Sequence, residues 1–218
     1  MPLTKTFKIN EEGSDYIVGD LHGCFDKLNK ALYEIGFDKD VDRLFSVGDL
    51  VDRGPKNLEC LRLITEGWFH AVQGNHEDMM LKALLDHVNM DHWIMNGGDW
   101  FMRISQDEAN VVRELCKTIR ETMPYSMTVE TPKGLVGICH AQPPSEDWAD
   151  AADPSNRDIQ TMLWARTWIK IKDTDPVKNI NLTYHGHTPI SDPLILGSTC
   201  FIDTGAVFGG ELTIVQIN

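Results

Sequence analysis

The chain has 218 residues and a mass of 24.6 kDa, enough for one large domain or two small ones with a substantial core. Its 42% hydrophobic and 24% charged residues are the composition of a globular protein and exclude a disordered chain. The 33 Asp and Glu outweigh 20 Lys and Arg, and the formal charge of -13 repels a phosphate backbone, so nucleic acid is not an expected partner. A small anionic substrate stays compatible, because bound cations reverse the field locally.

No apolar run approaches the roughly 20 residues of a membrane span. Met1 to Asp20 lacks a basic stretch followed by an apolar core, so neither a membrane partner nor a signal peptide is expected. Cys24, Cys60, Cys116, Cys139 and Cys200 are odd in number, widely spaced and without a CxxC pair. They predict reduced thiols used as small apolar side chains in a cytoplasmic protein, with Cys139 buried rather than nucleophilic.

In chain order, short runs rich in β-branched and aromatic residues end abruptly in Gly or polar residues, the pattern of strands. Tyr16-Ile17-Val18 runs into Gly19-Asp20-Leu21-His22-Gly23, and Leu44 to Val47 into Gly48-Asp49. His70 to Gln73 runs into Gly74-Asn75-His76-Glu77, Leu135 to Cys139 into His140, and Leu182 to Tyr184 into His185-Gly186-His187. Helical stripes follow the first three: Leu28, Ala31, Leu32 and Ile35; Leu58, Leu61, Leu63 and Ile64 after Pro55; and Met79, Met80, Ala83, Leu84 and Val88. The alternation reads as α/β with sequential crossovers. Val111, Val112, Leu115 and Ile119 predict another helix, and Asp158 to Lys170 an amphipathic one carrying Arg166. Cys200 to Asp203 and Glu211 to Ile217 predict closing strands, and the lack of a Gly-, Ser- or Pro-rich linker predicts a single domain over residues 1–218. The acidic stretch Asp147 to Asp153, with Trp148, reads as a solvated loop; His70, His87 and His92 read as structural or exposed.

The polar clusters share one address, the C-terminal ends of strands, where open α/β sheets bind ligands. Asp20, His22, Asp49, Asn75, His76, His140 and His187 gather there, with Arg53 close behind. Carboxylate, amide and imidazole together suit hard or borderline divalent metals such as manganese, iron and zinc. Gly19, Gly48 and Gly74 let the backbone turn and approach the site closely.

The segments Gly19 to Gly23, Gly48 to Gly54 and Gly74 to Glu77 resemble the three signature motifs of the calcineurin-like metallophosphoesterases. Asp52-Arg53, Glu77, His92-Trp93, Asn96-Gly97-Gly98 and Ile202 to Val207 are similar to the serine/threonine protein phosphatase branch, in particular its small bacteriophage lambda and enterobacterial members. The resemblance implies two mixed β-sheets packed as a sandwich flanked by α-helices. It implies two divalent cations, most readily Mn2+: Asp20, His22 and Asp49 would hold one, and Asp49, Asn75, His140 and His187 the other. Arg53 and Arg166 would bind phosphate oxygens, and His76, oriented by Asp52, would be the general acid. The implied substrates are phosphorylated proteins or peptides, hydrolysed by direct attack of a water between the cations, whose pKa two metals lower from 15.7 towards about 7.

Three positions depart from the relatives: Gln142 replaces an acidic residue, Ala165 replaces an Asn, and His185 replaces an apolar residue. His185 and His187, two apart on a strand, are expected to point to the same face. Gly-His-Thr-Pro favours His187 as the ligand and leaves His185 structural. The alternatives are a nucleotide phosphohydrolase of the symmetrical diadenosine tetraphosphate type, which lacks the acid at Asp52, and a catalytically inactive scaffold of the same fold, which would have lost ligands that are all present here.

Overall fold

The computed structural model describes residues 3–218. Its elements run β1 (Thr4–Phe7), β2 (Asp15–Val18), α1 (Phe25–Glu34), β3 (Arg43–Ser46), α2 (Asn57–Arg62), β4 (Phe69–Ala71), α3 (Asn75–Leu84) and α4 (Met90–Met95). They continue with α5 (Gln106–Thr122), β5 (Ser126–Thr131), β6 (Gly134–Cys139), α6 (Asn156–Trp164), α7 (Thr167–Ile171), β7 (Leu182–His185), β8 (Leu194–Leu196), β9 (Thr199–Phe201) and β10 (Ile214–Gln216).

Among the described residues, ten strands form two mixed sheets, one of six in the order β1-β5-β6-β7-β9-β8 and one of four in the order β10-β2-β3-β4. In the smaller sheet β2, β3 and β4 are parallel; in the larger, β6, β7 and β9 are parallel. Strand period explains the layers. On β2 and β3, Ile17 and Phe45 enter the space between the sheets, while Val18 and Leu44 face the helices. Met127, Val129, Val136, Ile138 and Tyr184 meet them from the larger sheet. The other face of the smaller sheet is covered by α1, α2, α3 and α5 through Leu28, Leu32, Leu61, Met80 and Ile119. A third cluster, Cys139, Trp148, Met162 and Val177, lies under the chain that covers the outer face of the larger sheet. Each fully buried aliphatic or aromatic side chain contributes about 1.5–3 kcal/mol. The expected α/β sandwich flanked by helices is present.

Three expectations need correction. The helix expected over Asp158 to Lys170 is two helices, because Ala165 is extended (φ -72, ψ 144) and Arg166 breaks from helical geometry (φ -130, ψ 19). Trp148, in the stretch read as a solvated loop, is buried and forms a short 3-10 turn with Ala149 to Ala151. Its ring covers Gly137 of β6, where a Cβ would lie 2.7 Å from Trp148 Cζ2. Ile35 and Val88, placed in the first and third helical stripes, fall beyond α1 and α3 and are exposed. The five cysteines are free, four of them buried, and burial pushes the Cys139 thiol well above its usual pKa. Among the described residues no helix is long and apolar enough to cross a membrane.

His70 on β4 packs against the rings of Phe7 and Phe45, at 4.6 and 5.3 Å between centroids. Burial, with Lys5 and Arg43 nearby, pushes its pKa down to about 4. The unfolded chain, titrating near 6.5, therefore binds more protons than the folded one below that pH. The stability this ring contributes is complete above about pH 6.5 and is lost as pH falls towards 4. Between pH 7 and 4.5 the loss should be about 2 kcal/mol. Denaturant titrations of the wild type and His70→Phe at both pH values should show a smaller acid-induced drop in the variant; equal drops would contradict this.

Candidate active site

The C-terminal ends of the parallel strands open on one side of the sandwich. Asp20 and His22 follow β2, Asp49, Asp52 and Arg53 follow β3, and Asn75 and His76 open α3 after β4. From the larger sheet come His140 after β6 and His187 after β7. The acids, Asn75 and the four imidazoles are all buried, whereas Arg53 and Arg166 are exposed. His22, Asp49, Asp52, Arg53 and His187 have positive φ values of 41, 52, 77, 71 and 68, so the site concentrates backbone strain.

Asp49 is the centre. Its Oδ2 lies 3.3 Å from His140 Nε2, 3.5 Å from His22 Nε2 and 3.9 Å from His76 Nε2. Its Oδ1 accepts the His76 backbone N–H at 3.0 Å. Gly48 (φ +97) turns the chain against Gly74, and a Cβ on Gly74 would strike Asp49 Oδ1. Glu77 secures the same turn, accepting the N–H groups of Asp49 (2.9 Å), Leu50 (2.8 Å) and Gly74 (2.9 Å). The last bond is the N3-to-N-cap half of a capping box, which the Gly74-to-Glu77 spacing could have revealed.

The ring nitrogens decide what the cluster can hold. His22 Nδ1–H donates to Val51 O at 2.7 Å and His140 Nδ1–H to Val47 O at 2.8 Å, which leaves both Nε2 lone pairs facing the Asp49 carboxylate. His187 lies between two oxygens, its Nε2 3.2 Å from Trp164 O and its Nδ1 2.8 Å from Asn75 Oδ1; His140 Nε2 lies 2.9 Å from the same Asn75 oxygen. Acceptors thus converge on acceptors, an arrangement that divalent cations satisfy. Two groups have their ligand atoms within 4.8 Å of one another, His22-Asp49-His76 and Asp49-His140-His187, with Asp49 common to both. Asp20 stands beside them, its carboxylate accepting the His187 N–H at 3.0 and 3.3 Å.

The electrostatics point the same way. Burial raises the Asp20 carboxyl well above its usual range, with Asp203 and Asp49 adding to it, and raises Glu77 to about 7. Burial would raise Asp49 too, but His140, His76 and His22 hold it well below the usual carboxylate range. Burial pushes His22 and His187 down to about 3, which keeps them neutral, as ligands must be. At His140 burial is outweighed by the adjoining Asp49 carboxylate, which raises the imidazole above its ordinary value. Asp203, absent from the sequence-derived set, is buried and accepts the Gly205 N–H at 3.0 Å.

His76 Nδ1–H donates to Asp52 Oδ2 at 2.7 Å. Asp52 also accepts from Trp93 Nε1 (2.9 and 3.1 Å) and Trp100 Nε1 (2.8 Å), and its N–H donates to Asn57 Oδ1 at 2.7 Å. Burial still raises the Asp52 carboxyl above its ordinary value. The sequence singles out Trp93 only as part of the resemblance and Trp100 not at all, and neither contact with Asp52 is legible in it, since the tryptophans lie 41 and 48 residues away.

Arg53 Nη1 lies 2.7 Å from His22 Nε2, and its guanidinium faces the exposed Phe208 ring at 5.6 Å. Arg166 Nη2 donates to His187 O at 3.3 Å. A cleft of about 530 Å³, lined by Asn96, Trp164, Arg166, Thr167, Lys170 and His187, leads to this side of the cluster. His185 does not share a face with His187: β7 ends at His185, and Gly186 and the left-handed His187 turn the chain. The His185 ring instead donates through Nδ1 to Cys139 O at 3.0 Å and meets Thr183 Oγ1 at 2.7 Å through Nε2, a structural role.

The calcineurin-like phosphoesterase family model matches residues 16–191. The Serine/threonine-protein phosphatase 1 of Salmonella typhimurium is 38% identical over 204 residues, 93% of this chain and 91% of the relative. An asymmetrical bis(5'-nucleosyl)-tetraphosphatase of Bacillus cereus is 28% identical over 90% of this chain and 87% of its own. A solved protein serine/threonine phosphatase from Saccharomyces cerevisiae superposes with a TM-score of 0.60 at 16% identity, over 93% of this chain and 71% of that one, a likeness of fold.

Trp93→Phe should keep most of the packing but remove a donor to the buried Asp52 carboxylate. A hydrogen bond to a charged group is worth about 1.5–3 kcal/mol, and stability to denaturant should fall by that amount. An unchanged midpoint would show that the indole N–H does not support Asp52.

Proposed function

The chain belongs to the calcineurin-like phosphoesterase family, and from that premise we propose that it hydrolyses phosphoserine and phosphothreonine monoesters in proteins at a site holding two divalent cations. The observation that carries the reading is one buried carboxylate oxygen, Asp49 Oδ2, facing imidazoles from both sheets at 3.3 to 3.9 Å. Asp20, His22 and Asp49 would hold one cation, and Asp49, Asn75, His140 and His187 the other. The whole chain acts as one catalytic domain, since each sheet supplies part of the ligand set. Mn2+ suits these carboxylate, amide and imidazole donors, and free cysteines agree with a cytoplasmic setting.

When bound, the cations supply an activated water and neutralise charge developing on the phosphate. The chain's own residues do the rest. Arg53 and Arg166, exposed at the rim, offer planar donor pairs that match phosphate oxygens and set the ester in line. His76 donates a proton from Nε2 to the seryl oxygen as the P–O bond breaks. Asp52, held by two indoles, fixes the His76 tautomer and steadies its charged form.

The 38% identity to a serine/threonine phosphatase, against 28% to a dinucleoside tetraphosphatase, favours phosphoprotein over nucleotide. Rates on a phosphoserine peptide, diadenosine tetraphosphate and p-nitrophenyl phosphate, with and without Mn2+, test this. Preference for the dinucleotide would overturn the substrate class, and full activity after exhaustive chelation would overturn the metal site.

Asp49→Asn should weaken both cation sites, whereas Asn75→Ala should empty mainly the one shared with His140 and His187. Metal analysis of the purified variants reads this directly, and loss of a single ion in Asp49→Asn would remove the bridging role.

His76→Asn should cost 10²–10⁴ in rate on a phosphoserine peptide, whose alkoxide needs a proton, but far less on p-nitrophenyl phosphate, whose leaving group departs unaided. Equal losses on both substrates, with metal content intact, would take His76 out of the general-acid role.

A further inference from the structure

Arg166 stands where two short helices part. α6 ends at Trp164 and α7 begins at Thr167, and α7 has five residues, none of them buried. A helix so short does not hold its own geometry. The start of α7 is nevertheless tied: Gln142 Oε1 accepts the N–H groups of Thr167 at 3.1 Å and Trp168 at 3.2 Å. Gln142 is 5% exposed and lies two residues past His140. The Cys139 thiol donates to its carbonyl at 3.1 Å, and the neighbouring Ala141 N–H donates to Met162 O of α6 at 2.6 Å. One short segment leaving β6 thus carries the His140 imidazole, pins α6 and fixes the first turn of α7. At the break between those helices, Arg166 reaches back to His187 O.

We infer that Gln142 is a positioning residue for Arg166, holding its guanidinium in register with the His140–His187 half of the site through the side-chain amide oxygen. The inference rests on the reading of Arg166 as a phosphate-binding residue. Its energetic content is pre-organisation: a donor held at the start of a tethered turn loses less freedom on meeting phosphate than one on a loose helix end. The bond is made by the side-chain oxygen, so the requirement is an acceptor of that length, not an amide as such.

The test is a double-mutant cycle on the metal-loaded protein, using inorganic phosphate as the probe in calorimetry, with KM and kcat on a phosphoserine peptide and metal content measured alongside. Gln142→Met keeps the shape and loses the oxygen; it should weaken phosphate binding about five- to tenfold, raise KM more than it lowers kcat and leave metal content unchanged. Gln142→Glu, which restores an acceptor for both N–H groups, should lie within about threefold of wild type. In the Arg166→Ala background, Gln142→Met should have no further effect on phosphate affinity. If Arg166→Ala leaves phosphate affinity intact, the phosphate-binding reading of Arg166 falls and the inference with it. If Arg166→Ala weakens binding but Gln142→Met does not, or does so equally in both backgrounds, or sheds metal, the inference alone fails. Should Gln142→Met not fold, Gln142→Asn, one methylene too short to reach α7, must weaken phosphate binding in the same direction, and wild-type affinity there overturns the proposal.

Discussion

A carboxylate taken out of water between two sheets has to be answered by charge or by hydrogen bonds, and Asp49 is that carboxylate here. It leaves the smaller sheet after β3 and meets His140 from the larger sheet at 3.3 Å. Much of the local architecture serves this one contact. Gly48 and Gly74 bring two backbones close enough for the side chain to fit, and Glu77 holds the turn from behind with three N–H groups. Glu77 is itself a buried acid beside Asp49, and each raises the cost of ionising the other. Positive charge placed at the centre of the cluster would offset that repulsion. That is the physical reason a chain of net charge -13 is compatible with an anionic substrate.

The rest of the molecule divides into parts that supply rigidity and parts that supply strain. The period-two packing of Ile17, Phe45, Val129 and Ile138 fixes the sheets relative to one another. Against that frame five site residues hold positive φ, a conformation that costs of order 1–3 kcal/mol each for a non-glycine residue. They persist because each is tied on both sides. Asp52, for example, is bonded through its N–H to Asn57 and through its carboxylate to His76, Trp93 and Trp100.

The strand ends that build the site were legible in the sequence because each is a run of β-branched or aromatic residues stopped by Gly or a polar side chain. β1, β5 and β8 were missed. β1 and β8 are edge strands of four and three residues, and Lys5 and Ile195 on them are exposed. The break at Ala165–Arg166 carries no Pro or Gly to announce it; it becomes visible only with Gln142, which captures the next two N–H groups from more than twenty residues away. His185 and His187 misled for a related reason. Period two holds only while the strand lasts, and the strand ends at the first of them. The ligand-type residues could be read locally, whereas the groups that orient them come from distant segments that the fold alone brings near.

This division bears on how the two sheets are coupled. His22 and Asn75 belong to the smaller sheet, and His140 and His187 to the larger. Any cation shared through Asp49 therefore binds across the sandwich, and it binds the folded arrangement far better than a chain in which the sheets have separated. By mass action such a ligand adds RT ln(1 + [L]/Kd) to stability, about 2.7 kcal/mol at a hundredfold excess over Kd. The same ligand also relieves the mutual repulsion of Asp20, Asp49 and Asp203, which burial otherwise makes costly. Packing between the sheets supplies a frame able to hold like charges close together, and the charges it holds give a cation the means to tighten that packing.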